Sequence, residues 1–199
     1  MKNLIKGIGL ALALITTSAH AIPTLFFDGD ITYSASTGEL SVTSVLTATE
    51  DVSPAPELVG SELTFSAVLD TIIAETSVTT GIFDGVIGDD IQVTDGDLNS
   101  LLVGEFLDLE MMGRNGRDAG IVSGTVNATG GSLAEMFGAG NLIALQFNLS
   151  TVFSADMFDT DFIGSIDGRV EGEAVPEPNV LALFGFGLVL MGLIRSRRS

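Results

Sequence analysis

Residues 142–150 read Leu142-Ile143-Ala144-Leu145-Gln146-Phe147-Asn148-Leu149-Ser150. Ile143, Leu145, Phe147 and Leu149 recur at every second position. Successive side chains of an extended chain point to opposite faces, so this period is that of a strand with one buried face. Glu62 to Leu69 repeats the pattern through Leu63, Phe65, Ala67 and Leu69. Phe162 to Val170 alternates with glycine, as Phe162, Gly164, Ile166, Gly168 and Val170.

Working outward, Thr24 to Phe27 is a short strand leading to a turn at Asp28-Gly29-Asp30. Ile31 to Ser34 and Glu39 to Thr47 form a hairpin around Ser36-Thr37-Gly38. A loop with Pro54 and Pro56 follows, and Ile82-Phe83 and Ile91 to Val93 are shorter strands. Leu101 to Met112 and Ile121 to Ala128 flank Gly113 to Gly116, whose Asn115-Gly116 is a strong hairpin-turn pair. Four hydrophobe-Asp-Gly segments, at Asp28, Asp84, Asp95 and Asp167, are read as repeated turns between strands, because their spacing is irregular. Ser132-Leu133-Ala134-Glu135 fits a capping box and predicts one short helix ending at Gly138. About nine short strands with turn signals between them predict an all-β domain, an antiparallel β-sandwich or jelly roll.

The two ends are different in kind. Met1 to Ala21 has Lys2 and Lys6, an apolar middle from Ile8 to Ile15, and the small residues Ala19 and Ala21 around a cleavage site. That is the layout of a secretory signal peptide, with the mature chain starting at Ile22. Removing it removes both lysines and the one histidine, His20. Residues 22–174 then hold no His, Cys, Lys or Trp, and three arginines against 25 carboxylates, a net charge of −22. These absences exclude Ser-His-Asp and Cys-His nucleophile pairs, His or thiolate metal sites, and Schiff-base lysine chemistry. Such a surface also repels phosphates, so nucleic acid is an unsuitable partner. About 150 residues suit a single domain with a sizeable core.

At the other end, residues 175–199 begin Val175-Pro176-Glu177-Pro178, continue through an apolar run to Ile194, and close with Arg195, Arg197 and Arg198. Asn179 to Ile194 as a helix would span roughly 24 Å, a short crossing of a bilayer core about 30 Å thick. The arginines would stay on the cytoplasmic side. This order of parts resembles the PEP-CTERM sorting tail of exported bacterial proteins. The resemblance implies an exosortase and the secretion machinery as partners. It implies transient anchoring in the inner membrane, cleavage near the Pro-Glu-Pro, and delivery to the cell surface, outer membrane or exopolysaccharide matrix. A plain membrane anchor would explain the helix and arginines but not the Pro-Glu-Pro. The predicted organisation is therefore a signal peptide (1–21), a β domain (22–174) and a sorting tail (175–199).

Within the domain, only the acids offer site chemistry. Asp28 with Asp30, Asp89 with Asp90, and Asp95 with Asp97 are the candidate calcium ligands, since calcium takes hard oxygens alone. Asp84 and the group Asp156, Asp159 and Asp161 extend the acidic clusters. Asp95-Gly96-Asp97 opens like an EF-hand loop, but Ser100 and Phe106 stand where that loop wants glycine and glutamate. A solvated acidic surface is the simpler reading of each cluster. The sequons at Asn127 and Asn148 are read as chance. The expectation is an exported, non-enzymatic protein with a structural or adhesive role and no cofactor. The alternatives are a calcium-dependent polysaccharide-binding module and, less favoured, a two-carboxylate glycosidase. With no Trp and with Tyr33 the one Tyr, aromatic sugar platforms are scarce.

Overall fold

A computed structural model describes residues 23–52, 58–137 and 142–172. The predicted signal peptide (1–21) and the tail with its apolar helix (175–199) lie outside the described residues. Residues Ile22–Glu173 form one compact unit. Among the described residues, no helix is long and apolar enough to cross a membrane.

The described residues form nine strands: β1 (Thr24–Ser34), β2 (Glu39–Glu50), β3 (Glu62–Ala74), β4 (Val78–Gly85), β5 (Ile91–Thr94), β6 (Ser100–Arg114), β7 (Gly120–Gly130), β8 (Leu142–Ser150) and β9 (Phe162–Gly172). Every pairing is antiparallel, and consecutive strands pair with each other except β4 and β5. β4 and β5 share one place between β3 and β6. Thr79 to Gly85 pairs with one half of β3, and Ile91 to Thr94 with the other. The last strand then pairs with the first, from Thr24 opposite Glu171 to Tyr33 opposite Phe162. The result is a closed, eight-position, up-and-down barrel.

This corrects the expected sandwich or jelly roll, although the all-β class and the alternating strands stand. A sandwich keeps two sheets with free edges. Here β1 and β9 bond to each other and remove both edges. The residues that decide the difference are Asp28-Gly29 and Asp167-Gly168, expected in turns and found in mid-strand. Asp28 lies directly opposite Asp167, and Phe27 opposite Gly168. A Cβ on Gly29 would run into the backbone of Thr43 and Ser44, and one on Gly168 into Gln146 and Phe147. Glycine therefore lets β1 close on β2 and β9 close on β8 at the seam, where a barrel must coil tightly.

The inward residues of every strand merge into one core, with Phe27, Phe83, Phe147 and Phe153 fully buried. Each such side chain contributes roughly 1.5–3 kcal/mol on leaving water. Two loops fill the barrel ends. The predicted helix after Ser132 is instead a single 3-10 turn, Ala134–Phe137, anchored by the Leu133 N–H on Leu101 O at 2.8 Å. It buries Leu133, Ala134 and Phe137 at one end. At the other end, the turn Met157–Asp159 buries Met157 and Phe158. There Phe158 meets Tyr33, with ring centroids 5.4 Å apart, and its carbonyl accepts the Tyr33 hydroxyl at 3.3 Å. Phe153 lies over Gly113 and Gly120, which face each other across β6 and β7. A Cβ on either glycine would enter its ring.

The break between β4 and β5 is held by one side chain. Asp90 is buried, and its carboxylate accepts the N–H of Val86 at 2.6 Å and of Phe106 at 2.7 Å. Its own backbone continues the ladder, donating to Gly104 O and accepting from Ser66, each at 3.0 Å. Gly85 has no Cβ because the Asp90 carboxylate occupies that space. Asp90, a candidate calcium ligand on sequence grounds, is thus a structural acceptor. Replacing it with Ala leaves two part-buried donors without their acceptor, each costing about 1–3 kcal/mol. Asp90→Ala should lower stability in a denaturant melt by roughly 2–5 kcal/mol, and Gly85→Ala should also destabilise. An Asp90→Ala midpoint equal to wild type would refute this role.

Candidate functional site

A concavity crosses the closing seam of the barrel, on the outer face of β8, β9, β1 and β2. It is an open groove of about 580 Å³. Two cross-strand rows build its floor. Gln146, Arg169, Phe26 and Ala48 are successive partners in one row, and Asn148, Asp167 and Asp28 in the next. Strand alternation that sends Leu145, Phe147 and Leu149 inward sends Gln146 and Asn148 outward. The same alternation turns Asp167 and Arg169 outward from β9, and Phe26 and Asp28 from β1.

Phe26 is set apart from the other rings. Every other aromatic side chain among the described residues belongs to the core or packs against it. Phe26 is half-buried and lines the groove. A bulge in β1–β2 pairing falls beside it, where the Thr47 hydroxyl donates to Phe26 O at 3.2 Å. Asn148 donates through Nδ2 to Asp167 at 3.0 Å. Arg169 pairs with Glu171 at 3.1 Å on the open surface, a contact of little energetic weight. Asp28 and Asp167 are like charges directly opposite each other, an arrangement that costs stability.

The acids singled out by sequence are spread over the molecule. Asp28 and Asp30 lie two residues apart on the outer face of β1. Asp89 is exposed between β4 and β5, beside the buried Asp90. Asp95 and Asp97 lie in the turn after β5. Asp161 accepts the Ala35 N–H at 2.8 Å, which ties the β8–β9 loop to the β1–β2 turn. Among the described residues no group of three or more acids is placed to share a metal ion. The partner that structure supplies for Asp28 is Asp167, 139 positions away in sequence, which no local motif links to it.

The Asp95 turn is self-contained. Its carboxylate accepts Asn99 Nδ2 at 2.8 Å, the Asn99 N–H at 2.8 Å and the Asp97 N–H at 3.0 Å. These bonds, the Asn99 side chain first, hold its carboxyl below the ordinary aspartate value. A depressed folded-state pKa gives stability that is present above the unfolded value and is lost as pH falls through the folded one.

Residues 174–198 match the family model of the PEP-CTERM protein-sorting motif. The chain carries a PEP-CTERM sorting signal. Val175, Pro176, Glu177 and Pro178 and the closing Arg195, Arg197 and Arg198 fall within the match. The PEP-CTERM signal makes this an exosortase-sorted, exported protein, anchored at the membrane for processing on its way to the cell surface. Comparison with curated proteins and with solved structures finds no match. One residue separates Gly172, the last of β9, from the PEP-CTERM match. Gly172 donates to Pro23 O at 3.2 Å, so the chain enters and leaves the barrel at one corner.

In an NMR pH titration, Asn99→Ala should raise the Asp95 pKa towards the ordinary carboxylate value. An unchanged titration would show that Asn99 does not set it.

Proposed function

We propose that the protein is a structural or adhesive component of the bacterial cell surface or exopolysaccharide matrix, exported and then processed at its tail. The observation that carries this reading is the PEP-CTERM match, which begins one residue beyond the last barrel strand. Two features of the barrel support it. Its interior is filled by apolar side chains, so what it offers a partner is its outer surface. That surface takes its chemistry from carboxylates, amides and hydroxyls, with no His, Cys or Lys in residues 22–174 to serve as nucleophile or base. The carboxylate excess also keeps such a protein dispersed among its neighbours.

Intact mass of the protein from membrane, surface and medium fractions tests the reading. The wild-type chain should appear at the surface or in the matrix, starting at Ile22 and ending near Pro176. A Pro176→Ala/Pro178→Ala variant should accumulate in the membrane fraction with its tail retained. Wild-type protein carrying residues 180–199 in every fraction would contradict the proposal.

A further inference from the structure

We infer that the groove over the β9–β1 seam binds a neutral, polyhydroxylated ligand, a hexose unit of a glycan chain. This deepens the adhesive role proposed above. Three observations on the barrel surface converge on it. The first is Phe26, the one described aromatic outside the core, half-buried at the floor of the seam groove. A partly exposed ring carried on a strand can cover the C–H face of a pyranose at little entropic cost. The second is the planar polar groups around it. Among the described residues the Gln146 side chain and the Asp28 carboxylate have no hydrogen-bond partner, while Asn148 donates to Asp167. Amides and carboxylates present paired acceptors and donors that match adjacent hydroxyls. The third is the facing of Asp28 by Asp167. Two acceptors held side by side against their repulsion gain from a donor-rich ligand, and hydroxyls supply donors without charge. The groove's volume of about 580 Å³ lies in the range of roughly 300–1,000 Å³ usual for small-molecule sites.

The charge selects among glycans. Residues 22–174 carry a net −22, and Arg169, the one cation among the described residues lining the groove, is paired with Glu171. A uronate or sulfated chain would meet repulsion there, and a neutral chain would not. Alanine at Gln146 removes an exposed side chain without an internal partner, so it tests the site without disturbing the fold. Alanine at Phe26 tests the stacking face.

The test is calorimetric titration of the full chain with cellohexaose, mannohexaose and, as the anionic probe, a galacturonate hexamer, each with calcium and with chelator. Binding of at least one neutral hexamer is expected, unaffected by chelator, with the galacturonate hexamer at least tenfold weaker. Phe26→Ala and Gln146→Ala should each weaken it about tenfold or more, with the Gln146→Ala melting midpoint unchanged. Failure of both neutral hexamers to bind, binding that needs calcium, equal affinity in Gln146→Ala, or release of shorter sugars during the titration would each overturn the inference. Because binding is read in solution, its failure leaves the sorting and localisation result standing, and a mislocalised tail variant leaves the binding result standing.

Discussion

The β1–β9 ladder is the constraint on which the remaining structure depends. Its register runs from Thr24 opposite Glu171 to Tyr33 opposite Phe162, along nearly the whole of both strands. Without it, the first and last strands would be two long edges with unpaired backbone groups, open to pairing with other chains. With it, the alternating apolar residues of all strands face one enclosed interior. Phe27 on β1 and Phe147 on β8 become part of the same core as Phe83 and Phe153. The seam also brings the first and last described residues of the barrel together, since Gly172 donates to Pro23 O at its end. The groove exists because the seam places β8, β9, β1 and β2 side by side.

Much of the strand pattern was legible in the sequence, because period-2 alternation states directly which side chains are buried. The hairpins at Ser36 to Gly38 and at Asn115-Gly116 were legible for a local reason, since glycine there takes a positive φ, 71° at Gly38 and 77° at Gly116. Closure was not legible. Asp-Gly is a turn signal when only neighbours are considered. At Asp28-Gly29 and Asp167-Gly168 the glycine answers a different demand, the close approach of an adjacent strand. That demand comes from residues far away in sequence, so Asp28-Gly29 reads as a turn that ends a strand, Asp167-Gly168 carries a turn signal inside an alternating run, and the domain reads as a sandwich. The Ser132 capping box failed in a similar way. Burial of Leu133 and Phe137 against the barrel end, and the Leu133 bond to Leu101, hold that segment to one 3-10 turn.

The sorting tail and the groove lie at opposite extremes of legibility. Pro176, Glu177, Pro178 and the terminal arginines are contiguous, and their order alone carries the meaning. The groove draws on β1, β2, β8 and β9, and its residues are the outward members of strands whose inward members carry the apolar alternation. Asp28 was recognised as an acid with a possible role, but its partner Asp167 and its neighbour Phe26 follow only from the register of the seam. Asp90 shows the reverse. An acid in an acidic run, it is used entirely by backbone donors and holds the β4–β5 break in register.

Native-state hydrogen exchange of the backbone amides in residues 24–33 and 162–171 tests the closed barrel most directly. If the seam is formed, protection in both segments should match that of β6 and β7, within a single cooperative unit. Fast exchange at alternate amides along either segment, as an open sheet edge would show, would contradict closure, and with it the groove that spans the seam.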